Sequence, residues 1–156
     1  MRLDDFDRKI LNRLQSDAAA GIETIADDIG LSRNACWRRI KALEKAEILT
    51  RRVALVDPQK VGAGLSAFMM IRTNRHEPDW IEAFNRAVQD IPEIVGVYRT
   101  SGDIDYIVRV RIADMAAYDR LYQRLIRRVS LSDVSATFVM EDIKETSAVP
   151  VQAQFE

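Results

Sequence analysis

A chain of 156 residues, 47% hydrophobic and 30% charged with a net charge of -1, has the composition of an ordinary globular protein and excludes the disordered and membrane-spanning classes. The length suits one large domain or two small ones, and two is the expectation here. Cys36 is the single cysteine and His76 the single histidine, which leaves neither an intramolecular disulfide nor the ligands of a structural zinc site, so no metal and no cofactor is expected.

The N-terminus places acids among its first apolar residues and has no hydrophobic core of a secretory signal, so the cytoplasm is the expected compartment. The near-neutral total conceals a local excess. Between Arg33 and Arg52 stand seven basic residues (Arg33, Arg38, Arg39, Lys41, Lys45, Arg51, Arg52) against the two acids Glu44 and Glu47, whereas residues 1–32 are net acidic. For a phosphate-binding surface this placement matters more than the sum.

Leu3, Phe6, Ile10 and Leu14 recur at helical spacing, with Asp4, Asp5 and Asp7 near the positive end of the helix dipole, and predict a first helix. Residues 23–29 put Ile25, Ala26 and Ile29 on one face and stop at Gly30, predicting a short second helix. Ser32 is a good N-cap for a third, whose inward face reads Cys36, Ile40 and Leu43. Two helices joined by so short a turn, with a third to pack beneath them, is the arrangement of a DNA-reading helix-turn-helix. Residues 48–56 are rich in β-branched side chains and predict an extended segment or small wing. Pro58, Gly62 and Gly64 interrupt regular structure, so the expected boundaries are a winged helix-turn-helix over residues 1–56, a linker over 57–64 and a second domain over 65–156.

From Leu65 onward strands alternate with helices. An apolar strand over residues 65–73 precedes a helix over 80–88, and two β-rich runs, 94–101 and 106–112, flank the turn formers Gly102 and Asp103. Asp114 can cap a helix carrying Met115, Tyr118, Leu121, Tyr122 and Leu125, and residues 134–143 read as a last strand. The order βαββαβ is that of a ferredoxin-like α+β domain, which covers one sheet face with two helices and leaves the other for a partner subunit.

Several segments in this order resemble one known family. The opening LDDFDRKILNRLQ, the segment IADDIGLSRNACWRRIKALEKAEILTR, the linker VDPQKVG and the hairpin SGDIDYIVRV followed by ADMAAYDRL resemble the leucine-responsive and asparagine-synthesis regulators, the Lrp/AsnC family. The resemblance spans nearly the whole chain. It implies a winged helix-turn-helix that binds double-stranded DNA, followed by a ferredoxin-like domain that binds an amino acid or similar small effector. It also implies dimers that associate further, often into octamers. The chain departs from the family pattern after the third helix, where Ala46-Glu47 stands in place of an expected glycine.

With Cys36, Ile40 and Leu43 inward, the third helix presents Ser32, Arg33, Asn34, Trp37, Arg38, Arg39 and Lys41 as the residues expected to meet DNA. Arg33 and Asn34 suit base edges, while Arg38, Arg39 and Lys41 suit phosphates. Trp37 fits equally a stack on the sugar-phosphate backbone or packing against the first helix.

A free amino acid needs acceptors for its ammonium, donors for its carboxylate and a pocket for its side chain. The hairpin around Gly102, Asp103 and Asp105 offers the first two, and the resemblance places the effector beside it, at a contact between dimers. Tyr98, Thr100, Met115, Phe138 and Met140 are expected in the pocket wall.

Two rival readings come from other classes. Siroheme decarboxylase subunits share this architecture, but His76 is expected in a polar loop, and Cys36 on the inward face of a DNA-binding helix cannot pair with it as a nucleophile. A ligand-binding module without a DNA role would not need the complete, basic helix-turn-helix. No catalytic residue is assigned.

Overall fold

The computed structural model describes residues 1–151 and resolves into two compact units. Met1–Leu55 form the first together with the C-terminal segment from Lys144, and Val56–Ile143 form the second.

The first unit is built of α1 (Asp5–Ser16), α2 (Ile22–Ile29) and α3 (Arg33–Lys45). Asp4 caps α1 in a capping box: its carboxylate accepts the Asp7 N–H at 2.9 Å, and the Asp7 carboxylate accepts the Asp4 N–H at 3.2 Å. Ile10, Leu11, Leu14, Ile25, Ala26, Cys36, Ile40 and Leu43 form its core, as the helical spacing dictates. Gly30 ends α2 at φ 75°, and the Leu31 N–H reaches back to the Ala26 carbonyl at 2.9 Å, the closure that a left-handed glycine permits.

The missing glycine after α3 has a structural answer. Glu47 takes the left-handed position itself, at φ 55°, with its N–H on the Glu44 carbonyl at 3.0 Å and the Ile48 N–H on the Leu43 carbonyl at 3.0 Å. A side chain in this conformation costs about 1 kcal/mol that glycine avoids. Glu47→Gly is therefore expected to raise the stability of this unit by about 1 kcal/mol in urea denaturation. An unchanged midpoint would show that the turn relaxes without strain.

No strand forms in residues 48–56, where the extended segment or small wing is expected. β-branched composition favours a strand only where a partner ladder exists, and among the described residues the only sheet lies in the second unit.

The C-terminal segment also departs from the expected division, which assigned residues 65–156 to one domain. Gln15 of α1 clasps the backbone of Val149, accepting its N–H at 2.7 Å and donating to its carbonyl at 3.1 Å, and Val151 packs on the first core. These contacts draw the segment to α1. The last part of the expected domain, residues 152–156, lies outside the described residues.

The second unit runs β1 (Leu65–Arg72), α4 (Pro78–Gln89), β2 (Ile94–Arg99), β3 (Tyr106–Ile112), α5 (Met115–Ile126) and β4 (Asp133–Phe138). This is the expected βαββαβ order, folded into an antiparallel sheet of order β2-β3-β1-β4. One sheet face, with Ala67, Met69, Ile71, Val108 and Val110, packs under Trp80 and Phe84 of α4 and Leu121 and Leu125 of α5. Phe84 lies stacked on Trp80 at 5.3 Å and tilted against Tyr106 at 4.6 Å. The alternation turns Phe68, Met70 and Ile107 to the other face, half-buried, with exposed Tyr98 paired beside Ile107.

Three strands end earlier than expected, β1 by the single residue Thr73. β4 ends at Phe138 instead of continuing to residue 143, because its partner β1 begins at Leu65 and the ladder runs out once the Val139 N–H reaches the Ser66 carbonyl. β2 ends at Arg99 because the Thr100 N–H turns to the Asp105 carbonyl at 2.9 Å and closes the hairpin.

Candidate functional site

Three residues, Gly30, Leu31 and Ser32, separate α2 from α3. Ser32 accepts the Ala35 N–H on its Oγ at 3.3 Å, so its hydroxyl is engaged as the cap of α3. Because Cys36, Ile40 and Leu43 are fully buried, helical geometry turns Arg33, Asn34, Trp37, Arg38 and Lys41 outward, and all five are exposed. Trp37 stands 48% exposed and outside the core, so it does not pack as a core residue of this unit.

The cations of this face differ in their partners. The Arg33 Nε lies 2.9 Å from a Glu23 carboxylate oxygen on α2. Lys41 lies 2.7 Å from Glu44 and Arg52 3.5 Å from the same carboxylate, and these cations, Lys41 first, hold the Glu44 carboxyl below its usual range. Arg38 and Lys45 have no acidic partner among the described residues.

Arg39, expected at a phosphate, is placed otherwise. Its guanidinium lies 2.8 Å from both Asp4 and Asp7 of the α1 capping box and packs over the Phe6 ring at 5.3 Å. One turn from Cys36 on the flank of the buried face, it ties α3 to the start of α1 and does not join the outward cations. The capping spacing of Asp4 and Asp7 was visible in the sequence, but the arginine they share was not. Sequence reasoning also missed Glu23, while the three-residue spacing of Lys41 and Glu44 was a signal for their pair.

Cys36 is fully buried, and burial pushes its thiol up from its ordinary value. It is expected to ignore an aromatic disulfide reagent in the native protein at pH 8 and to titrate only in guanidinium. Rapid native labelling would put a reactive thiol at the core of this unit.

At the other unit, the β2–β3 hairpin is bound to the end of β1. The Asp105 carboxylate accepts the Thr73 N–H at 2.8 Å and its own N–H donates to the Ile71 carbonyl at 3.0 Å. Arg72 donates from Nε to the Asp103 carbonyl at 2.9 Å and reaches the Asp133 carboxylate at 2.7 Å. The Thr100 hydroxyl donates to the Ile104 carbonyl. Gly102 has φ 111°, a conformation that needs glycine. Thr100, Gly102, Asp103 and Asp105 are thus gathered in one loop, where Asp103 is exposed and one oxygen of Asp105 is already engaged.

Of the remaining expected pocket residues, Tyr98 lies beside the hairpin on β2 and the other three lie along the sheet from it. Tyr98 folds its ring back over Gly96, where an added Cβ would meet its hydroxyl at 2.9 Å. Phe138 pairs with Ala67 and meets Tyr118 edge-on at 5.1 Å, Met140 follows it, and Met115 follows the Ile112 that pairs with Leu65. Since the hairpin meets β1 at Ile71, Phe138 opposite Ala67 sits four positions along the sheet from it and Met115, beyond the Ile112–Leu65 pair, at least six, roughly 13 and 20 Å away, whereas Tyr98, opposite Ile107, lies one position from it. Within one chain Met115, Phe138 and Met140 do not share a pocket with Asp103 and Asp105. His76 is exposed in the loop before α4, as expected, and no group of three metal-ligating side chains occurs among the described residues.

Residues 3–44 match the AsnC-type helix-turn-helix domain and residues 66–149 the Lrp/AsnC ligand binding domain. The chain belongs to the Lrp/AsnC family. It is a transcriptional regulator with a helix-turn-helix and a ligand-binding domain. It is 47% identical over 150 residues to the glutamate uptake regulatory protein of Zymomonas mobilis, covering 96% of this chain and 92% of that one. It is 43% identical over 151 residues to the DNA-binding transcriptional activator DecR of Escherichia coli K12, covering 96% and 99%. Among solved structures, a Neisseria meningitidis transcriptional regulator in complex with L-methionine matches with a TM-score of 0.90 at 32% identity, covering 95% of this chain and 96% of that one.

Proposed function

We propose that this Lrp/AsnC regulator reads double-stranded DNA with the N-terminal half of α3 and that an amino acid bound at the β2–β3 hairpin of an oligomer controls that reading. The observation that carries it is the division of α3. Three of its side chains are sealed in the core, and Arg33, Asn34, Trp37, Arg38 and Lys41 are turned to solvent behind a capped three-residue turn. Arg33 and Asn34 have the donor and acceptor patterns for guanine and adenine edges, and Arg38 and Lys41 supply phosphate contacts.

The effector is an α-amino acid. Asp103 and the uncommitted oxygen of Asp105 accept its ammonium, and the glycine loop lets backbone donors approach its carboxylate. The L-methionine complex of the Neisseria relative supports this ligand class. The roughly 13–20 Å along the sheet between the loop and Met115, Phe138 and Met140 supports a pocket completed by a second chain, so ligand acts by favouring one assembly over another. The half-buried Phe68, Met70 and Ile107 on the helix-free sheet face support a homodimer as the first step of that assembly. The protein acts in the cytoplasm as a regulator and not as an enzyme.

A thermal-shift screen against the twenty amino acids tests the effector reading, because a ligand that binds only the folded state raises the melting temperature. One or a few amino acids are expected to do so at millimolar concentration. Asp103→Ala with Asp105→Asn is expected to abolish the shift and leave DNA binding by the unliganded protein intact. A shift that survives in this variant removes the hairpin from the site.

A further inference from the structure

We propose that Glu23 is a positioning residue for base reading, holding the Arg33 guanidinium so that its terminal nitrogens face the DNA. This rests on the assignment of α3 to DNA. Arg33 is the first residue of α3 and Glu23 lies in the first turn of α2. The capped turn and the shared core of Ile25, Ala26, Cys36, Ile40 and Leu43 fix one helix against the other. The carboxylate therefore approaches from a set direction.

The contact is made to Nε, at 2.9 Å. A guanidinium presents five N–H donors, and an ion pair made on its Nε side leaves the two terminal nitrogens as the fork that matches the O6 and N7 acceptors of guanine. The other outward cations lack such a brace. Lys41 pairs within its own helix, and Arg38 and Lys45 have no acidic partner among the described residues. Arg39 is held from α1, but flanks the buried face.

In the free protein both side chains are largely exposed, 64% and 74%, so the pair contributes little to stability. Its effect emerges when the groove excludes water and the same two charges interact through a lower effective dielectric. A carboxylate at a phosphate-facing surface also repels DNA of any sequence. These two effects carry opposite signs, which separates positioning from a general structural role. Removing Glu23 weakens discrimination and strengthens indiscriminate binding, whereas a folding defect weakens both.

The test uses the full chain and measures binding to a duplex selected from a randomised pool, to its single-base variants, and to an unrelated duplex of equal length at fixed salt. Relative to wild type, Glu23→Ala is expected to lose about tenfold in discrimination at one guanine while binding the unrelated duplex about threefold more tightly. Glu23→Gln keeps the length of the side chain but not the charge that makes the ion pair, and is expected to match Glu23→Ala in both readouts. Glu23→Ala with wild-type base preference, alongside Arg33→Ala with relaxed preference, overturns the positioning role and leaves α3 as the reader. Arg33→Ala with unaltered preference overturns the role together with the assignment of Arg33 to a base.

Discussion

Arg39→Ala is expected to lower the stability of the N-terminal unit by about 2–3 kcal/mol, the largest effect of any single charged residue on α3. Asp7 is almost fully buried, and its Oδ1 accepts from Arg39 at 2.8 Å while its Oδ2 accepts the Asp4 N–H. Without the guanidinium the first of these bonds is lost and a carboxylate stays in the core edge without its counter-charge. Breaking a fully buried pair costs about 3–5 kcal/mol, and the partial exposure of the Arg39 side chain, 31%, lowers the figure. The loss of packing over Phe6 adds to it.

Chemical denaturation followed by Trp37 fluorescence measures the change. Asp7→Asn combined with Arg39→Met is expected to recover part of it, because that double variant leaves no buried charge. A stability loss under 0.5 kcal/mol, with a salt dependence of DNA binding reduced by one phosphate contact, would return Arg39 to the outward set.

The same cluster sets a pH dependence. Asp4 is held below its ordinary value of 3.8, first by the Asp7 N–H it accepts and, against the cost of burial, by Arg39. A carboxyl lowered by folding contributes stability that is complete above its unfolded value and disappears as pH falls through the folded one. Acid loss of the N-terminal unit is therefore expected below about pH 4, and Arg39→Ala narrows it.

The helices and most strands were legible because burial repeats at fixed periods. Cys36, Ile40 and Leu43 occupy the core, and β3 occupies the same residues, Tyr106–Ile112, that its pattern predicted. What the pattern did not contain was anything set by a partner in space. β4 was read too long because apolar alternation says nothing about where β1 begins. Arg39 was read outward because a flank residue with a long side chain reaches either way, and only the fold brings Asp4 and Asp7 near it. Met115, Phe138 and Met140 joined Asp103 and Asp105 by resemblance, while strand direction carries them to the far end of the sheet. The clasp of Gln15 on Val149 spans 134 positions and left no periodic trace.

Replacing both Arg38 and Lys41 by alanine is expected to weaken DNA binding on the order of 100-fold or more with little change in stability. Both are exposed, and neither contributes to the core. Bonds to charged groups are worth about 1.5–3 kcal/mol each, so two phosphate contacts account for the loss. Each also releases counterions, so the slope of log affinity against log salt is expected to fall by about 1.8 across the pair. The two positions differ in the free protein, however. Arg38 has no acidic partner among the described residues, whereas Lys41 must leave Glu44 before it can meet a phosphate. Arg38→Ala is therefore expected to cost more than Lys41→Ala, and Glu44→Gln is expected to tighten binding by freeing Lys41 and Arg52 together. Salt titration of the four variants on one duplex checks all of this. An unchanged slope in the double variant would mean that the basic face of α3 is solvated and that phosphates are met elsewhere.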